Sequence, residues 1–214
     1  LGAAQFNPRM RDQLLPEDPS EGTQLEQGER HLLQFLQTVP DSDVGWGTLM
    51  SGELAIAARF TSSGQPSRAQ EQMERVRAHM TQARAQVTEG PEVLMTSLRL
   101  ALHDRAENVA LVDEEAIRAD AMEMVRRVRE RDDPWAIDQA VDLLRRLGRV
   151  EGLPEPVEIV DEYLREHPQS PDMHLAKANL HQLKGEWDEA EQSARVVLDA
   201  DWLKVGFLSQ YQPY

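Results

Sequence analysis

The sequence predicts an all-helical protein built from antiparallel helix pairs, and three observations support this fold class. Leu, Ala, Val and Met carry most of the apolar content, while aromatic residues make up only 5% of the 214 residues. Leu and Ala rank high in helix propensity. Apolar residues recur at three- and four-residue spacing along most of the chain, which is the period of a helix face. No stretch shows the convincing apolar–polar alternation of a half-buried strand.

Residues 1–22 are predicted to be an extended lead-in or linker that precedes the helical domain. Pro8, Pro16, Pro19 and Gly22 interrupt any helical period in this stretch. The chain starts at Leu1 and not at Met. We therefore expect either a mature form or a piece of a longer protein.

Three helices are predicted after the lead-in, each ended by turn-forming residues. Apolar residues at 32–36 mark the first helix, which we expect to end near Val39 and Pro40. The second helix covers about 46–60, and the polar run at 61–64 breaks it. A long third helix starts at Pro66, since proline suits the first turn of a helix.

The remainder of the chain is predicted to hold further helices joined by short connections. Short loops place neighbouring helices antiparallel. About ten helices of roughly 12–22 residues are expected in total from the apolar periodicity. The later ones start at Pro91 and Asp113 and cover Trp135 to Leu147, Pro154 or Pro156 to Glu166, Pro171 to Leu183, and Trp187 to Leu198.

An internal repeat favours a solenoid over a simple bundle. Residues 137–170 and 171–204 align without a gap at a 34-residue period. In this alignment Leu164 lies over Leu198, and the break at 151–152 lies over the break at 185–186. One helix pair cannot bury its apolar face alone, so successive pairs are expected to stack on one another.

The second of these units resembles a tetratricopeptide repeat. Ala178 and Ala190 occupy the positions where small residues let the two helices of a pair approach closely, and Gly185 stands at the turn. Residues 50–83 resemble a third copy less closely, and residues 91–133 match in architecture alone. The resemblance implies a right-handed solenoid over residues 23–201. It rests on Leu175, Ala178, Leu180, Gly185, Ala190, Ala194 and Leu198.

The resemblance also implies a binding surface and a function. In this family the first helix of each pair lines a concave groove, so we expect a non-enzymatic scaffold that binds a peptide or protein partner. Arg145 and Asn179 match parts of the clamp with which some family members hold a C-terminal carboxylate, although its lysines are missing here. The residues expected in the groove are Asp138, Val141, Arg145, Arg149, Asp172, Leu175, Asn179 and Gln182.

The charge of the chain restricts its partners. The net charge is −15, so most of the surface repels a nucleic-acid backbone and an anionic membrane. A basic or neutral protein partner is expected instead. No run approaches the ~18 apolar residues of a membrane span, so no membrane insertion is expected. We expect a soluble protein of the cytoplasm or the periplasm.

The basic residues point to the source of the chain. Lys occurs only at Lys177, Lys184 and Lys204, and the other basic residues are Arg, which indicates a GC-rich genome. A larger bacterial assembly or secretion protein is the setting that we expect for such a scaffold.

Motifs that carry enzymatic chemistry are absent from the sequence. The chain has no Cys, no Gly-rich phosphate loop, and no G-x-S-x-G or H-E-x-x-H motif. No enzyme activity and no cofactor are therefore predicted. A metal-binding or catalytic helical protein is a weaker alternative, because His174 and His181 lie seven residues apart on one helix face with Asp172 nearby.

The C-terminal segment 202–214 is rich in aromatic residues. Trp202, Phe207, Tyr211 and Tyr214 all fall within it. We expect this tail to cap the last apolar face of the helical domain. Three alternatives stay open: an exposed docking strip, the start of a further repeat of a longer chain, and an oligomerisation module in which the tail packs against another copy of the chain.

Overall fold

The computed structural model describes residues 21–87, 90–107, 113–148 and 152–199. All regular secondary structure within these ranges is α-helical, so the predicted all-helical class is confirmed. The described helices are α1 (Glu21–Thr38), α2 (Asp43–Ser62), α3 (Pro66–Gln86), α4 (Pro91–Ala106), α5 (Glu114–Arg131), α6 (Pro134–Leu147), α7 (Pro156–Glu166), α8 (Pro171–Lys184) and α9 (Trp187–Asp199).

The two predicted end segments fall largely outside the described residues. Helix α1 begins at Glu21, inside the stretch predicted as a lead-in. The residues before it lie outside the described ranges, and so does the aromatic tail at 202–214.

Proline and short polar side chains set where the helices begin. Five helices carry proline in the first turn: α3, α4, α6, α7 and α8. The missing N–H of proline costs nothing there. The Ser42 Oγ accepts a hydrogen bond of 3.1 Å from the Gly45 N–H at the start of α2. The Asp133 carboxylate accepts one of 3.0 Å from the Trp135 N–H at the start of α6. These caps satisfy backbone donors that a helix leaves unpaired.

Within the repeat domain predicted over 23–201, the chain divides into two compact units. Unit 1 ends at Arg127 and unit 2 begins at Val128, so the boundary lies inside α5. The two units are described separately below.

Unit 1 is organised around α2, which packs against α1, α3 and α4, while α3 also contacts α4. Burial of each large aliphatic side chain in such a core contributes about 1.5–3 kcal/mol relative to exposure. The core consists of Leu32, Leu36, Trp46, Leu49, Met50, Val76, Met80, Ala83, Val87 and Val93.

The beginnings of α2 and α4 are held together by a cap that joins the two helices. The Asp43 carboxylate accepts hydrogen bonds from the Glu92 N–H at 3.1 Å and the Val93 N–H at 2.9 Å. A Cβ atom at Gly90 would lie 2.1 Å from Asp43 Oδ1, and one at Gly47 would lie 2.5 Å from Glu92 Cβ. Both glycines are therefore required by the close approach of the two helices.

Acid should weaken one ion-pair cluster on α5. The pKa of Glu123 is lowered from its usual 4.5 to about 2, and the side-chain hydrogen bond from Arg126 is the largest cause. Burial acts in the opposite direction and raises the pKa, while the hydrogen bond from Arg127 lowers it further. Because the folded pKa is the lower one, the stabilisation is present above about pH 4.5 and is lost as the pH falls toward 2.

We expect Glu123→Gln to lower the free energy of unfolding by less than ~1 kcal/mol near pH 7, since the cluster is solvent-accessible. The difference from wild type should shrink between pH 5 and pH 2. Thermal unfolding midpoints across this range measure it, with Glu71→Gln on α3 as a control outside any described ion pair. If the difference in unfolding midpoint between wild type and Glu123→Gln stays constant with pH, the ion pairs of Glu123 are not its cause.

Unit 2 is built from α6 to α9. Helix α8 pairs most extensively with α9, and α7 contacts both α6 and α8. Helix α6 also contacts α8 directly. Most of the core is aliphatic, and it includes several alanines. It includes Ile137, Ala140, Leu143, Leu144, Leu147, Ile159, Val160, Met173, Ala176, Leu180, Ala190 and Val197.

The helix bounds show that the gapless 34-residue alignment is wrong as a register. Helices α6 and α8 both have 14 residues and begin at Pro134 and Pro171, which are 37 positions apart. Helices α7 and α9 begin at Pro156 and Trp187, only 31 positions apart. The cause is the connection after the first helix of each pair: eight residues separate α6 from α7, and two separate α8 from α9.

Candidate functional site

The four residues predicted on the second repeat lie on one face of α8. Asp172, Leu175, Asn179 and Gln182 follow helical spacing, so their side chains line up along one side of the helix. Leu175 is 46% exposed, Asn179 and Gln182 are exposed, and Asp172 is half-buried. This face is therefore accessible to a partner.

Only some of the α6 residues that were predicted to line the groove lie at the surface. Arg145 is exposed and Asp138 is half-buried, but Val141 is 3% exposed and belongs to the core. Val141 is the eighth residue of α6, and the buried Ala178 is the eighth residue of α8. The prediction for Val141 fails because the gapless alignment placed it over Leu175. Arg149 lies outside the described residues.

Counting from the proline that begins each helix gives the true counterparts on α6. Asp172, Leu175, Asn179 and Gln182 then correspond to Trp135, Asp138, Asp142 and Arg145. Two of these were not predicted from the sequence: Trp135, which is 41% exposed, and Asp142, which is half-buried. Two helices of equal length, each with proline in the first turn, were the signal for this register. These eight residues are called the α6–α8 face below.

A cleft of about 870 Å³ opens where α6 and α8 end. Apolar side chains form much of its wall, and Leu183 within it is 65% exposed. Arg145 belongs both to this cleft and to the α6–α8 face, so the two features adjoin. The cleft is lined by Leu144, Arg145, Gly148, Gly152, Leu153, Pro154, Glu155, Pro156, Val157, Glu158, Leu180, Leu183 and Lys184.

Two ion pairs lie near the cleft. Arg145 Nη2 lies 2.6 Å from Asp142 Oδ1, and Lys184 Nζ lies 3.8 Å from Glu155 Oε2. All four side chains are solvent-accessible, so each pair contributes little to stability and can exchange partners readily.

The other end of the α6–α8 face is acidic. Burial is the largest cause that raises the pKa of Tyr163 above its usual 10, and the negative charges of Asp132, Asp133 and Asp172 add to it. The Tyr163 ring stacks on His167 with the ring centres 4.4 Å apart. Three carboxylates therefore lie near Tyr163 where α6 and α8 begin, and one of them, Asp132, is paired with His167 Nε2 at 2.8 Å.

The two histidines considered as metal ligands have separate partners. His174 Nε2 donates to the Pro168 carbonyl oxygen at 2.9 Å, while His181 Nδ1 lies 2.6 Å from Glu186 Oε2. Among the described residues, no group of three His, Cys, Asp or Glu side chains is placed to hold a metal ion.

A buried titratable pair lies in unit 1, and this pair was not predicted from the sequence. Glu53 on α2 is fully buried, and both of its carboxylate oxygens lie 3.0 Å from His79 Nδ1 on α3. The ring of Trp46 is 6.1 Å from that of His79. The contact joins residues 26 positions apart, so no local motif signals it.

Comparison with known proteins gives no match. No protein-family model matches the chain, and neither a curated protein nor a solved structure does. Separately, none of the helices in the described ranges combines the length and apolar character that crossing a membrane requires.

Proposed function

We propose that the chain is a non-enzymatic interaction scaffold that binds a peptide or protein segment along the α6–α8 face. The observation that carries this proposal is the continuity of that face with the 870 Å³ cleft through Arg145. Exposed apolar side chains at Trp135, Leu175 and Leu183 supply anchoring points. Large apolar anchors beside a pocket are the typical energetic centres of interfaces.

The order of helix contacts supports a repeat of tetratricopeptide type. In unit 2 the first helix of one pair, α6, contacts both its own partner α7 and the first helix of the next pair, α8. In unit 1 the same relation holds for α2 with α3 and α4. We therefore propose stacked helix pairs in which the first helices share one exposed side.

The chemistry of the face supports binding over catalysis. It offers carboxylates, amides, one guanidinium group and apolar side chains. The eight residues of the face include no hydroxyl or thiol group of the kind that a general base activates in covalent catalysis.

Replacing Leu175 with aspartate is expected to weaken peptide binding strongly. Leu175 lies at the centre of the exposed face of α8, and a charge there removes an anchor and adds a desolvation cost. Peptides selected from a random displayed library on the wild-type protein should lose affinity by at least about 30-fold on the variant, equivalent to a hot-spot contribution of about 2 kcal/mol.

The matched control is Leu198→Asp on α9, because Leu198 is 74% exposed but lies off the α6–α8 face. Circular dichroism of both variants confirms that they fold. The proposal is rejected if the library yields no binder, or if the selected peptides bind wild type and Leu175→Asp equally well.

A further inference from the structure

The charges on the α6–α8 face are distributed unevenly along its length. Its carboxylates are Asp138, Asp142 and Asp172, and its single basic residue, Arg145, lies at the cleft end. That arginine is already ion-paired with Asp142. Asp133 adds further negative charge where α6 begins, and Asp132 beside it is paired with His167 Nε2 at 2.8 Å.

The apolar character of the surface increases in the opposite direction. Leu183 projects into the cleft at the end of α8 and is 65% exposed, with Leu180 and Leu144 beside it. Exposing a leucine to this extent is unremarkable by itself, but here it lies within a concave site. The surface thus has an acidic end and, at the cleft, exposed apolar side chains that lie among the ion pairs of Arg145 and Lys184.

We infer that the partner is a cationic, amphipathic segment that places basic side chains at the acidic end and an apolar side chain in the cleft. This inference rests on the proposed function and specifies the partner of the same surface. The net charge of −15 favours approach of such a segment from a distance.

The geometry sets the spacing between the two kinds of side chain. Asp172 and Leu183 are both on α8, eleven residues apart, which corresponds to about 17 Å along a helix. An extended peptide rises about 3.3 Å per residue. The basic and apolar residues of the partner should therefore be about five residues apart.

Three synthetic twelve-residue peptides test the inference on the full chain. Each carries a Leu-Phe anchor, and five residues away it carries Lys-Arg, Gln-Gln or Glu-Glu. Titration calorimetry should show the basic peptide binding about tenfold more tightly than the neutral one. The advantage should largely vanish between 0.05 M and 0.5 M NaCl, since the screening length falls from roughly 14 Å to roughly 4 Å.

A pair of charge reversals supplies the matched control. Asp172→Lys and Asp188→Lys change the same charge at the second position of neighbouring helices, so both lose the same helix-dipole stabilisation. Only Asp172→Lys should remove the preference for the basic peptide. Leu183→Ser should weaken all three peptides, whereas Leu198→Ser on α9 should not.

The outcomes separate this inference from the proposed function. Equal binding of the three peptides overturns the cationic partner but leaves the scaffold standing. If none of the three binds while library peptides still depend on Leu175, the partner chemistry inferred here is wrong and the scaffold again stands. Absence of binding in both assays overturns both. Light scattering tests whether a second copy of the chain occupies the surface instead. If the protein without peptide is a dimer that Leu175→Asp dissociates, the surface is a contact between copies and the inference is overturned.

Discussion

Replacing His79 with alanine is expected to lower the free energy of unfolding of unit 1 by about 3–5 kcal/mol. The reason is Glu53, which is fully buried and has both carboxylate oxygens 3.0 Å from His79 Nδ1. Removing the imidazole leaves a polar group in an apolar core without its described partner. The penalty for such a group exceeds the worth of the hydrogen bond itself.

A double variant distinguishes this cost from a loss of packing. Glu53→Met combined with His79→Leu replaces both partners by apolar side chains of similar size. It should recover most of the stability that His79→Ala loses, because no polar group is then left unpaired. If the double variant is as unstable as the single one, the cost comes from packing around α2 and α3 instead.

Trp46 provides the readout for both variants. Its ring lies in the core of unit 1, 6.1 Å from that of His79, so its fluorescence reports on the surroundings of the pair. Urea titration should be done in a background where phenylalanine replaces the other three tryptophans. A loss below about 1 kcal/mol for His79→Ala would show that Glu53 is satisfied in another way.

The helices themselves were predictable from the sequence, because local signals determine them. Prolines at 66, 91, 156 and 171 were predicted as helix starts, with Pro154 as an alternative to Pro156, and the structure begins helices at all four. Gly185 ends α8 with a left-handed backbone (φ 79°), where a side chain would be strained. Such signals act over a few residues and need no tertiary information.

The register between the helix pairs was not predictable in the same way. A gapless comparison assumes that connections have equal length, and the connection between α6 and α7 is six residues longer than that between α8 and α9. Because of this error, Val141, a core residue, was predicted to line the groove, and Trp135 was omitted from the predicted groove. The same long connection contributes Leu153 and Pro154 to the cleft, so the cleft could not be foreseen either.

Contacts between distant parts of the chain also escaped the sequence analysis. Asp43 caps α4 from a position 49 residues before Glu92, and no helix-start motif near Pro91 indicates this. Periodicity identifies which side of a helix is apolar, but it does not identify the partner helix. The two bonds of Asp43 and the pairing of Glu53 with His79 are consequences of packing.

A lysine at position 141 tests the corrected register and with it the composition of the α6–α8 face. Val141 is 3% exposed, so Val141→Lys forces an ammonium group into the core of unit 2. We expect a loss of about 4 kcal/mol or more in the free energy of unfolding, since burying an unpaired charge is among the most costly changes. Urea denaturation followed by Trp135 fluorescence measures it.

Ala178→Lys is the parallel variant, because Ala178 holds the same position on α8 and is 7% exposed. It should be comparably destabilised, whereas Asn179→Lys one position later lies on the exposed face and should change stability by less than about 0.5 kcal/mol. In the gapless alignment Val141 would match the exposed Leu175, and its lysine variant would be tolerated. A stable Val141→Lys protein would return Val141 to the surface. Trp135 would then no longer be the counterpart of Asp172, and the partner's basic residues would have to be sought elsewhere.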